Sequence, residues 1–228
     1  EYAGGYSDML TQRGADLTRA PLKEIAKAEK TERTAKTTPD SKPTPKGKLS
    51  FKDKHALETL PERMAELGIP CGIDNIMITS GSQQALDYLG KLLLSPGDTA
   101  LVGWPTYLGA LQAFNAYEPA YDRLMPAANR TAHDYRDTAA EKGGAVKFAY
   151  GSADFANPTG LTMDLSERKR ILDLAGELDI AVIEDAAYQS LRYDGAPLPP
   201  ILALDIARNG GIDNTRTIYC GSFSKTLS

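Results

Sequence analysis

The 228 residues are 42% apolar and carry a formal net charge of −4. That is enough apolar side chain for one large core, and too acidic a balance for a nucleic-acid partner held by phosphate neutralisation. No uninterrupted apolar run is long enough to span a bilayer, and residues 1–20 lack the basic-then-apolar layout of a secretory signal, so a cytoplasmic protein with no membrane partner is expected. Cys71, Cys220, His55 and His133 have no ligand-spaced neighbours. Neither a disulfide framework nor a metal site is expected, and both cysteines read as buried small apolar residues.

In chain order, residues 23–54 are rich in Lys, Thr and Pro (KTERTAKTTPDSKPTPKGK) and lack apolar periodicity. Such a stretch buries too little surface to offset chain entropy and reads as an arm or linker. The alternative, a basic patch for an acidic partner, is weakened by Glu24, Glu29, Glu32 and Asp40. The expected division is an N-terminal arm over 1–55 and a large domain over 56–228. A helix is expected from Pro61, with the proline in its first turn and Gly68 as its stop. Short apolar runs then alternate with amphipathic stretches. The runs are Ile76-Met77-Ile78, Ala100-Leu101-Val102, residues 146–150, residues 180–183 and Thr217-Ile218-Tyr219. Ala85, Leu86, Leu89, Leu92 and Leu93 fall on one helical face. So do Ile171, Leu174, Ala175 and Leu178, in a segment with Ser166 as N-cap and Glu167 in its first turn. This alternation implies an α/β fold, a mostly parallel sheet with helices on both faces.

In such sheets ligands bind beyond the carboxyl ends of the strands. Each expected strand runs into a polar or glycine-containing segment: TSGSQQ, WPTY, DFANPTG, EDAAY and GSFSKT. Taken singly they say little. Gly81-Ser82-Gln83 suits an ordinary helix cap as well as an anion site; Lys225 alone suits a solvated surface, and Tyr107 and Tyr188 suit the rim of a sheet. The sequence has no G-x-x-x-x-G-K-[ST], G-x-G-x-x-G or G-x-S-x-G motif, so nucleotide hydrolysis, dinucleotide binding and α/β-hydrolase chemistry are unsupported.

The combination is more specific. Asn-Pro-Thr-Gly at 157–160, Asp-x-x-Tyr at 185–188 and Ser-x-Ser-Lys at 222–225 resemble fold type I, class I/II aminotransferases dependent on pyridoxal 5′-phosphate (PLP). ITSGSQQALD, FANPTG, VIEDAAYQSLRYDGAPLPP and GSFSKTLS are similar to the branch holding 2-aminoadipate and aromatic aminotransferases and MocR-like regulators. The resemblance covers roughly residues 74–228, and a fainter one at Ala3-Gly4-Gly5-Tyr6 suggests a segment approaching the substrate.

The resemblance implies roles. Lys225 would form the Schiff base with PLP and carry a proton between the substrate and the cofactor. Asp185 would pair with the pyridine nitrogen, and Asn157 and Tyr188 would hydrogen-bond the ring 3′-oxygen. Tyr107 would stack on the ring. Ser82, Gln83 and Ser222, with Ser224 as a second contact, would hold the phosphate. Gly5 and Asn157 would face the substrate. The implied reaction exchanges an amino group between an amino acid and a 2-oxo acid, in a homodimer.

Relatives continue past the lysine with a Pro-Gly-Leu-Arg stretch and a small C-terminal domain, which these 228 residues do not contain. The chain therefore reads as a truncated member or a fragment. Relatives also carry a tyrosine segment without clear match between residues 51 and 60, and an apolar strand end with proline where Gly151-Ser152-Ala153 stands. Two alternatives stay open: a MocR-type PLP-binding regulatory domain without turnover, against which the absence of a helix-turn-helix pattern counts, and a non-catalytic remnant.

Overall fold

The computed structural model describes residues 51–124 and 130–225, and for 51–57 the backbone alone. The chain divides into two units, Glu1–Lys48 and Leu49–Ser228. The described residues fall in the second, and most of the expected arm lies outside them.

Helix α1 (Phe51–Glu66) is followed by α2 (Gly81–Leu93), β1 (Thr99–Val102), α3 (Leu108–Asn115), β2 (Ala120–Arg123) and α4 (Ala132–Glu141). Then come β3 (Val146–Gly151), α5 (Leu165–Leu178), β4 (Ala181–Asp185), α6 (Ile201–Asn209) and β5 (Thr217–Cys220). The strands form one sheet in the order β2-β1-β3-β4-β5, and every pair is parallel.

The period-two alternation of the strands sorts the core into two layers. Leu101, Ala149 and Val182 pack on one face with Tyr135 of α4, Ile171, Leu172 and Ala175 of α5, and Ile201 of α6. Ala100, Val102, Phe148, Tyr150 and Ile183 point the other way, onto Leu86 of α2 and Ala110 and Phe114 of α3. The helix-covered parallel sheet expected from the sequence is thus present.

Several local expectations are corrected. Ile76-Met77-Ile78 is not a strand: none of the described strands pairs with it, and Met77 and Ile78 are 78% and 62% exposed. Apolar β-propensity makes a strand only where a ladder partner stands alongside. Conversely, β2 escaped the hydrophobic pattern, because Ala120-Tyr121-Asp122-Arg123 is a half-buried edge strand paired only with β1. α1 begins at Phe51, so Pro61 lies inside the helix, and the expected 55/56 boundary falls within it. The cap of α5 is Asp164, not Ser166: its Oδ1 accepts from Glu167 N at 2.8 Å, while Glu167 Oε2 accepts from Asp164 N at 2.8 Å. That reciprocal pair satisfies two backbone donors, which Ser166 at the second helical position does not. Leu92 is 77% exposed, outside the buried stripe of α2, and Cys71 is only half-buried whereas Cys220 is buried.

Candidate functional site

Because the strands run the same way, the segments following the carboxyl ends of β1, β3, β4 and β5 meet the start of α2 at one rim of the sheet. There they enclose a cavity of ≈ 120 Å³. Ser82 reaches it from the start of α2 and Tyr107 from the loop after β1. Ser152 and Asn157 come from the loop after β3, and Asp185, Ala187 and Tyr188 from the end of β4. Ser222, Ser224 and Lys225 follow β5. A wider groove of ≈ 480 Å³, walled by Phe155, Pro158, Leu191 and Tyr193, shares Asn157 and Tyr188 with it.

Each segment is aimed by local structure. Gly81 has φ +76°, and the Ser80 side chain makes no capping bond, so α2 opens without a side-chain cap. A helix start of this kind presents unsatisfied N–H groups and the positive end of the helix dipole. Tyr107 lies where a Cβ on Gly109 would sit, so glycine at 109 makes room for its ring. After β5, the Ser222 and Ser224 hydroxyls are 2.8 Å apart and Ser224 N donates to Ser222 Oγ at 3.3 Å, a tight turn that delivers Lys225. The Lys225 ammonium lies 5.8 Å from the centre of the Tyr188 ring.

Asp185 is 6% exposed. Its Oδ2 accepts from the Tyr150 hydroxyl at 2.7 Å and its Oδ1 from Ala187 N at 3.3 Å. Burial, then the Asp185 charge, push the Tyr150 phenol far above its ordinary value, which keeps it a donor. Burial pushes the Cys220 thiol up to about 12, helped by Asp185 and Glu184, so this cysteine stays an inert thiol.

Two buried acids brace the surrounding loops. Asp154 Oδ1 accepts from Arg168 at 2.9 Å and from Arg192 at 2.6 Å, tying the loop that carries Asn157 to the one that follows Tyr188. Glu184 caps α6, accepting from Ile201 N at 2.9 Å and Leu202 N at 3.0 Å. Burial pushes the Glu184 carboxyl up from its ordinary 4.5 to about 7, against the pull of those N–H groups and of Arg168. Between these values the folded chain binds the proton more tightly than the unfolded one. This contribution is therefore fully present below about pH 4.5 and lost as pH rises to about 7. Urea unfolding across pH 4.5–7.5 should show stability falling more steeply in the unaltered protein than in Glu184→Gln. Parallel pH profiles would remove the assignment.

Of the residues singled out from sequence, Ser82, Tyr107, Asn157, Asp185, Tyr188, Ser222, Ser224 and Lys225 meet at the cavity. Gln83 does not line it: its side-chain amide donates to Gly109 O at 2.6 Å. Gly5 lies outside the described residues. Sequence reasoning missed Ser152, Ala187 and Tyr150. The signal for Tyr150 was period two: it points to the same side of β3 as Phe148, towards the face that Asp185 uses.

The family model described as aminotransferase class I and II matches residues 13–228. Aromatic-amino-acid aminotransferase 1 of Thermococcus litoralis is 43% identical over 164 residues, covering 70% of this chain and 38% of that protein. 2-Aminoadipate transaminase of Thermus thermophilus is 40% identical over 157 residues, covering 68% and 38%. The chain thus spans 38% of the length of both curated relatives. Among solved structures, Pyrococcus horikoshii kynurenine aminotransferase matches with a TM-score of 0.62 at 42% identity, covering 75% of this chain and 42% of that one. That structure was solved in complex with PMP. A cavity built at the ends of parallel strands from a carboxylate, a lysine, an amide and hydroxyls, in a chain matched from residue 13 onward, places it plainly: the chain belongs to the class I and II aminotransferases, a PLP-dependent family.

Proposed function

We propose that the protein carrying this chain is an aminotransferase that exchanges an amino group between an amino acid and a 2-oxo acid. The observation that carries the reading is the convergence of Asp185, Asn157, Tyr188 and Lys225, from three separate segments, on one cavity. The residues present fit PLP by their chemistry. Ser82, Ser222, Ser224 and the open start of α2 suit a phosphate, and Asp185 suits a protonated pyridine nitrogen. Asn157 and Tyr188 suit the 3′-oxygen, Tyr107 suits the ring face, and the Lys225 amine suits the aldehyde. When bound, the cofactor supplies the electron sink that no side chain offers.

The chain's own residues do the rest. Asp185 would keep the proton on the ring nitrogen. Asn157 and Tyr188 would hold the ring by its 3′-oxygen, and Tyr107 would set its plane. Lys225, with its amine free, would accept the proton leaving the substrate Cα at Nζ and hold it for return. Asn157 stands where cavity and groove join, which supports its service to both cofactor and substrate. We also read residues 56–228 as the PLP-binding large domain, Gly5 as a substrate contact, and the working form as a cytoplasmic homodimer, on the resemblance to the family. Among the described residues no helix is long and apolar enough to cross a membrane.

The test is borohydride reduction of the protein after incubation with PLP, followed by peptide mass mapping. The cofactor mass is expected on the peptide containing Lys225. Label on another lysine would overturn the assignment.

A further inference from the structure

We propose that Tyr150 is the positioning residue for Asp185. Its hydroxyl fixes which carboxylate oxygen faces the cavity and how strongly that oxygen holds a proton on a bound heteroaromatic ring. The inference rests on the reading above, that Asp185 meets a pyridine nitrogen.

The geometry is that of a rigid donor. Tyr150 pairs in register with Ile183 on the neighbouring strand, and Asp185 lies two residues further along the same face. The ring is 1% exposed and stands edge-on to Phe114, with centroids 5.6 Å apart and planes at 79°. Phe114 is wedged in turn against Phe148 at 5.0 Å. The phenol therefore has one place to put its O–H, and Asp185 Oδ2 occupies it at 2.7 Å. A phenylalanine would fill the same space in the aromatic cluster. The hydroxyl adds a hydrogen bond to a charged group where water scarcely reaches, and there such bonds are strongest. A carboxylate offers roughly four acceptor positions. Tyr150 and Ala187 fill two of Asp185's, one on each oxygen, and the carboxylate lines the cavity with the remainder.

The consequence has a sign. A carboxylate relieved of a donor becomes more basic and pulls harder on the ring-nitrogen proton. The ring then withdraws fewer electrons, and the nitrogen attached at the cofactor's C4′ binds its own proton more tightly.

The experiment compares the unaltered protein with Tyr150→Phe by PLP titration and by following the cofactor's visible band against pH. Tyr150→Phe is expected to bind PLP about three- to tenfold more weakly, because a carboxylate no longer held in one orientation must be ordered as the cofactor binds. The pH midpoint of the band should move upward, and kcat should fall more than the substrate KM changes. A variant that melts earlier but keeps its PLP affinity within about twofold and its band midpoint unmoved has lost a structural hydrogen bond alone, and that outcome overturns the proposal. Should Tyr150→Phe fail to fold, 3-fluorotyrosine at 150 keeps the shape and makes the hydroxyl a stronger donor. The midpoint must then move down, and an unmoved midpoint is equally decisive against the idea. Failure of the underlying reading looks different: the unaltered protein then takes up no PLP at Lys225, whereas normal labelling there with an unmoved midpoint sinks the role of Tyr150 alone.

Discussion

Lys225→Ala is expected to lower the turnover of the protein carrying this chain by at least roughly 10²–10⁴-fold, the range that removal of a positioned acid–base group produces, while leaving its stability almost untouched. The separation follows from placement. Lys225 is exposed at the end of a serine-rich turn, and the contact described for its ammonium is the distant Tyr188 ring face at 5.8 Å. Surface substitutions away from buried features stay within about 0.5 kcal/mol. The same variant should lose the borohydride-trapped label. Steady-state rates with an amino acid and a 2-oxo acid, beside a urea titration, measure both halves. A variant that retains a tenth or more of the original rate would remove Lys225 from the chemistry.

Arg168→Met is expected to do the reverse, destabilising the fold by about 3–5 kcal/mol, the cost of breaking a buried ion pair from one side. Arg168 is 0% exposed and spends its whole guanidinium internally. It donates to the carbonyls of Met163 at 3.2 Å, Pro199 at 3.0 Å and Ala153 at 3.2 Å, and to Asp154 at 2.9 Å. Methionine matches much of the aliphatic stem but leaves three carbonyls short of a donor and Asp154 with Arg192 alone. For a unit of this size the melting temperature should fall on the order of 10 °C. Calorimetry reads it directly, and a loss below about 1 kcal/mol, typical of exposed pairs, would show that the cluster is solvated.

Much of this was legible in the residues, and the reason is the sheet. Strands β1, β3, β4 and β5 are buried apolar runs, so composition alone marks them, and their ends mark the site. The segments after those runs marked where a site could lie, and Asn157, Asp185, Tyr188 and Lys225 were singled out within them by the resemblance of their combined motifs to the family. What escaped depended on partners far away in sequence. Ile76-Met77-Ile78 looks like β1 in composition but finds no strand alongside, while β2 looks polar and is held by β1. Gln83 was aimed at a phosphate by its position, yet the carbonyl of Gly109, on the next helix, claims its side chain. Nothing in the spacing of Arg168, Asp154 and Arg192 joins them, and only the folded loops bring them together. Tyr150 was hidden within a strand whose apolar character explained it completely.

One feature of β4 has a further reach. Glu184 and Asp185 are chain neighbours, yet the pleat sends the first to the amide groups opening α6 and the second to Tyr150 and the cavity. Deleting or inserting a single amino acid upstream in that strand would exchange their destinations. The helix-capping acid would arrive at the cavity one methylene longer, and the shorter one would be left reaching for a helix it no longer meets. A change of frame in this strand would therefore cost both contacts at once.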